Sequence, residues 1–97
     1  MPTPIDDPTI ASWLDSHDGW AREGDMITRT FVFKRFLEGI DFVVRVAEAA
    51  ERMNHHPDVD IRYTRVRIGL TTHDVGGLSD ADLTLAAEID GLANLSG

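Results

Sequence analysis

The sequence predicts an α+β domain: a four-stranded antiparallel sheet with its helices packed on one face, in the order αββαββα. Two observations predict this arrangement. Apolar residues recur at helical spacing in three stretches, and between those stretches they alternate along two pairs of short strands. Strands that follow one another directly pair antiparallel, which leaves the helices to cover one side of the sheet. The other side must then be covered, or paired with a second subunit.

The elements follow in chain order. Asp7 or Thr9 opens a short helix that sets Ile10, Trp13 and Leu14 on one face, and Asp18-Gly19 turns the chain out of it. Trp20 to Phe33 reads as a hairpin around Glu23-Gly24-Asp25, with Ile27, Arg29, Phe31 and Phe33 on one face of its second strand. From Lys34 to about Met53 the period becomes helical, with an apolar stripe of Phe36, Ile40, Val43, Val44, Ala47 and Ala50. Pro57 stops this helix: it lacks the N–H a helix needs and pushes His56 towards extended backbone. Val59–Tyr63 and Arg65–His73 form the second strand pair, and Val75-Gly76-Gly77 is loop. Ser79 caps the last helix, with Asp82 placed to reach back to the cap and Leu85, Ile89 and Leu92 on its apolar face, a face expected to serve self-association.

The chain of 97 residues reads as a single domain over 1–97, with 1–8 a flexible lead. Cysteine is absent, which removes disulfides, thiolate nucleophiles and Cys-based metal sites. The net charge is −8, and residues 74–97 carry five acids and no base. Such a surface repels phosphate backbones and anionic lipid, so neither nucleic acid nor membrane is an expected partner. The central stretch 25–73 is nearly neutral and suits a small uncharged ligand. No run approaches the ~20 apolar residues of a membrane span, and the Pro-rich start has no signal-peptide character. A cytoplasmic protein is expected.

Of the four histidines, His55 and His56 are the most informative, because they sit where a helix stops and a proline forces extension. Their rings should point apart, which suits two roles better than two ligands on one metal ion. Glu51 lies four residues before His55 and would share its helix face, orienting the ring for acid–base work. His73, at the end of the second strand pair, could converge on the same place. Each has a plainer reading as a solvated contact. No metal is expected, since adjacent histidines chelate poorly and no HExxH-type pair is present. His17 is assigned no role. Gly76-Gly77 has no following Lys and precedes an acidic helix start, so it is loop rather than phosphate site. Trp20 and Phe31 read as core, although an aromatic at a pocket rim can stack on a flat heterocycle.

The run Glu51-x-x-x-His55-His56-Pro57, then five residues to Tyr63, nine to His73 and eight to Asp82, resembles the signature of pterin-4a-carbinolamine dehydratases. Gly19-Trp20, Phe31-x-Phe33-x-x-Phe36, Arg45-Val46-Ala47, Thr72-His73 and Gly77-Leu78-Ser79 also follow the family pattern, and the similarity spans residues 9 to 95. Arg35 and Asn54 depart from it, at positions often acidic in the family. The resemblance implies a hydro-lyase that converts a 4a-hydroxytetrahydropterin to quinonoid dihydropterin without metal or organic cofactor. It serves tetrahydropterin recycling beside an aromatic amino acid hydroxylase. It further implies catalytic His55, His56 and His73, supporting Glu51, Trp20, Pro57 and Asp82, and a homodimer or homotetramer. The alternative it carries is a non-catalytic dimerisation or assembly cofactor on the same fold.

Overall fold

The computed structural model describes residues 2–96. Helix α1 spans Asp7–Asp15 and is capped by Asp6, whose carboxylate accepts the Thr9 N–H at 3.0 Å. The cap thus lies one residue before the earliest start read from the sequence, and Pro8 falls in the first turn, where its missing N–H costs nothing. Hydrogen bonds from Thr9 hold the Asp6 carboxyl below the usual carboxylate range. Ile10 enters the core, while Trp13 stacks on His17 with ring centroids 3.8 Å apart.

Strands β1 (Ala21–Glu23) and β2 (Met26–Val32) form a hairpin closed by Glu23 opposite Met26, with Gly24 at positive φ in its turn. Helix α2 spans Phe36–Met53. Strands β3 (Asp58–Arg62) and β4 (Arg65–Leu70) form the second hairpin, and α3 runs over Asp80–Ser96. The sheet is antiparallel throughout in the order β1-β2-β4-β3. The expected αββαββα sequence of elements is therefore present. β4 ends sooner than the alternation suggested: Thr72 bridges to Gly77, and His73 begins a short 3-10 turn, His73–Val75.

Alternation sends Ile27 and Phe31 of β2 and Val66, Ile68 and Leu70 of β4 to the helical side, where all five are buried. Arg29 shares that side. Its guanidinium lies 4.5 Å from the Phe31 ring centre and donates to Asp90 of α3 at 2.8 Å. The opposite face is mostly polar: Thr30, Arg65, Arg67, Asp58 and Asp60 line it with the exposed Val32, and Arg67 pairs with Glu23 at 2.8 Å. That face needs no cover, because an antiparallel sheet can keep one side in water. The Thr28 hydroxyl and Arg67 hold the Glu23 carboxyl below its usual range.

Two expectations about helix faces are corrected. On α2 the buried residues are Gly39, Phe42, Val46, Ala49 and Ala50, whereas Phe36 and Val44 of the expected stripe are 44% and 53% exposed. The helix carries two apolar stripes, and the sheet takes the one with smaller residues. A Cβ on Gly39 would stand only 3.3 Å from Val66, so glycine there lets the helix approach β4 closely. On α3, Leu85 and Ile89 are fully buried against the core and are not free for self-association; Leu92 is half-buried beside them.

Within the stretch expected as a flexible lead, the N-terminal segment Thr3–Ile5 lies against the start of α3, with Pro4 opposite Ser79 in an antiparallel bridge. Among the described residues no helix is long and apolar enough to cross a membrane. The choice between the stripes of α2 is directly testable. Phe42→Ala should lose about 3–5 kcal/mol and Val44→Ala under about 1 kcal/mol in urea unfolding; equal losses would mean that the helix face has been misassigned.

Candidate active site

α2 ends at Met53 because Asn54 takes up left-handed backbone, φ 50 and ψ 44, a conformation Asn tolerates better than most residues. The Asn54 and His55 amides close the helix end by donating to Glu51 O at 3.2 Å and Ala50 O at 3.0 Å. The left-handed residue throws the next two side chains apart. His55 turns inward towards the start of α3, and His56 turns back along α2.

The inward ring meets a buried carboxylate. His55 Nε2 lies 2.6 Å from Asp82 Oδ1, and Asp82 has no solvent exposure. The other oxygen, Oδ2, accepts from the Thr72 hydroxyl at 2.7 Å and the Ser79 N–H at 2.9 Å. The Thr72 and Ser79 hydroxyls are themselves 2.7 Å apart, and Ser79 Oγ accepts the Ala81 N–H at 3.2 Å. Asp82 thus reaches back to the cap as its position foretold, and at the same time holds a histidine. A carboxylate only accepts, so Nε2 of His55 carries the proton in this contact and Nδ1 is the ring's remaining nitrogen. Charge-assisted hydrogen bonds to both oxygens let an ionised group remain in so dry a place.

His56 donates instead to Glu51, 3.0 Å away, on an exposed edge. The expectation that Glu51 orients His55 is therefore corrected. Spacing of four residues brings side chains together only while the helix continues, and it has already ended at Asn54. His73 arrives from the 3-10 turn after β4 and is exposed.

His55, His56 and His73 together line a cavity of about 420 Å³, with Asn54, Thr72 and Asp74 among its other walls. That volume lies in the ~300–1,000 Å³ range of small-molecule sites. The remaining expected residues lie elsewhere. Glu51 and Pro57 border a neighbouring apolar groove with Val43 and Val59. Trp20 is 6% exposed and donates its indole N–H to both oxygens of Asp90 at 3.0 Å. Asp90 sits about 12 Å further along α3 than Asp82 at 1.5 Å per residue, so Trp20 braces the far half of the helix. Sequence reasoning passed over Thr72 and Pro2, which also borders the cavity; only the Thr72-His73 pair within the family pattern hinted at the first. Among the described residues no group of three His, Asp or Glu side chains could hold a metal ion.

Fold and cavity together define an α+β domain with a histidine-lined, small-molecule-sized pocket. Residues 3–92 match the family model for pterin 4 alpha carbinolamine dehydratase, and the chain belongs to that family. A relative from Thermomicrobium roseum, provisionally named pterin-4-alpha-carbinolamine dehydratase, is 52% identical over 93% of this chain and 97% of its own length. A relative from Mycobacteroides abscessus with the same provisional name is 49% identical over 89% and 92%. Among solved structures, a transcriptional coactivator/pterin dehydratase from Brucella melitensis superposes with TM-score 0.89 at 30% identity, covering 94% of this chain and 99% of that one. A pterin dehydratase-like protein, described as a RuBisCO assembly factor in the alpha-carboxysome, superposes with TM-score 0.68 at 28% identity, covering 79% and 92%.

The dependence of His55 on Asp82 gives a stability prediction. Asp82→Ala strands Thr72, the Ser79 amide and His55 without their shared partner. It should cost about 3–5 kcal/mol in chemical denaturation; a loss below about 1 kcal/mol would mean that the network is not formed in solution.

Proposed function

We propose that this chain is a hydro-lyase that dehydrates 4a-hydroxytetrahydropterins, acting in the cytoplasm in tetrahydropterin recycling beside an aromatic amino acid hydroxylase. The observation that carries this reading is the convergence of His55, His56 and His73 on one cavity, with His55 held by buried Asp82. The family membership supports it.

The reaction needs two proton transfers and nothing else. The C4a–O bond breaks as an acid protonates the departing oxygen, which leaves as water. A base takes the proton from the neighbouring ring N–H as the C=N bond forms. One proton is given and one taken, and no electron changes hands. His55 and His73 divide these transfers. Asp82 fixes the tautomer and orientation of His55, so its ring waits in place. His73 shares no hydrogen bond with another side chain among the described residues and is free to exchange protons with ligand or solvent. His56, tied to Glu51, borders the ring. Neither step calls for a metal or organic cofactor.

Replacing His55 or His73 with Ala should lower dehydration of a synthetic carbinolamine by about 10²–10⁴-fold, and a chelator should leave the wild-type rate unchanged. A wild-type chain no faster than either variant would overturn the dehydratase reading.

The alternative is a dimerisation or assembly cofactor, favoured by the coactivator and assembly-factor descriptions of the two solved relatives. Either way we propose self-association into a homodimer or homotetramer through the unused stripe of α2. Phe36 and Val44 are exposed there, as are Val59 and Ile61 on the edge strand β3. Val44→Glu should shift wild-type oligomers to monomers in sedimentation; a wild-type chain already monomeric at 100 µM (an assay concentration of order ~10² µM, where only weak association escapes detection) would reject it.

A further inference from the structure

Asp82 is only as well placed as the backbone beside it. The Ser79 amide donates to its carboxylate, and the Ser79 hydroxyl meets Thr72, which donates to the same group. The position of residues 78–80 therefore sets the position of the carboxylate that holds His55.

Those residues are gripped from outside by the N-terminal segment. Ile5 N–H donates to Leu78 O at 3.2 Å and Asp80 N–H donates to Thr3 O at 3.0 Å. Thr3 N–H donates to the Asp80 carboxylate at 2.8 Å. Pro4 stands opposite Ser79 between these bonds, at the one position of the bridge that needs no donor, so a proline fits there without loss. Ile5 packs on the core and anchors the segment, while Pro2 at its other end borders the cavity. Proline at 2 and 4 restricts the free chain, which lowers the entropy lost on docking.

We infer that Pro2–Ile5 is a working part of the pocket: a strap that clamps residues 78–80, and through them Asp82 and His55, while Pro2 forms one wall. The inference rests on the dehydratase reading of that cavity. Thr3 and Asp80 are positioning residues in it. They act on the reaction through Asp82, and neither lies against the histidines.

The test uses the full chain. Thr3→Pro removes one N–H and Asp80→Ala removes its acceptor; Asp80→Asn keeps an oxygen that can accept. In Thr3→Pro and Asp80→Ala, kcat on the carbinolamine should fall about tenfold, within the range that small misplacements of reacting groups produce. Hydrogen exchange at the Ser79 amide should quicken by a similar factor, while β2 and β4 amides keep wild-type protection. Asp80→Asn should recover most of both losses, and Pro2→Ala should raise KM. Wild-type kcat in both Thr3→Pro and Asp80→Ala would overturn the strap, whether or not Ser79 exchanges faster. An inactive wild-type chain would sink the dehydratase reading instead, and the Ser79 exchange rate in Thr3→Pro would still decide whether the clamp exists.

Discussion

The constraint on which the site depends is the burial of a single carboxylate. Asp82 has no solvent exposure, and a carboxylate in that position persists only if both of its oxygens find donors in place of water. Here the donors come from three parts of the chain: a histidine after α2, a threonine after β4 and the cap of α3. Satisfying one group therefore fixes three elements relative to one another, and the cavity is the space left between them. Stability and geometry coincide at this point, because the bonds that keep the charge tolerable are those that orient His55.

A second polar anchor works at the other half of α3. Asp90 accepts from Trp20 and from Arg29, tying the helix to the first hairpin. With Asp82 at one end and Asp90 further along, α3 is held by charge-assisted contacts at both, while Leu85 and Ile89 fill the core between. The acidity of the last quarter of the chain thus has internal uses and is not only a solvated surface. Trp20 belongs to this anchor and not to the cavity, which separates it from the histidines it accompanies in the family pattern.

Much of the fold was legible in the sequence because its signals were local. The turn at Gly24 and the cap at Ser79 each act within a few residues, and the strand faces followed from strict alternation; the end of α2 was read near Met53, but from Pro57 and not from the left-handed Asn54 that makes it. What failed to show was whatever depends on contact across the chain. The two stripes of α2 both satisfy helical spacing, and only the closeness of Val66 to Gly39 decides between them. His73 was read as able to reach the His55–His56 pair, but nothing local showed which acid serves which ring. Glu51 looked like the partner of His55 until a left-handed Asn54 ended the helix between them, and the true partner stands 27 residues away in sequence. The Pro-rich start was read as a flexible lead, although Thr3–Ile5 is docked, since a short segment of that composition reads alike whether docked or free.

The strand order has a kinetic corollary. Each hairpin closes over a two-residue turn and can form early, but β2 meets β4 only after all of α2 and β3 have been bridged. That pairing is the costly loop closure of the molecule. Thr72, His55 and Asp82 all fall between residues 55 and 82, so the polar network of the pocket spans shorter loops than the sheet that supports it.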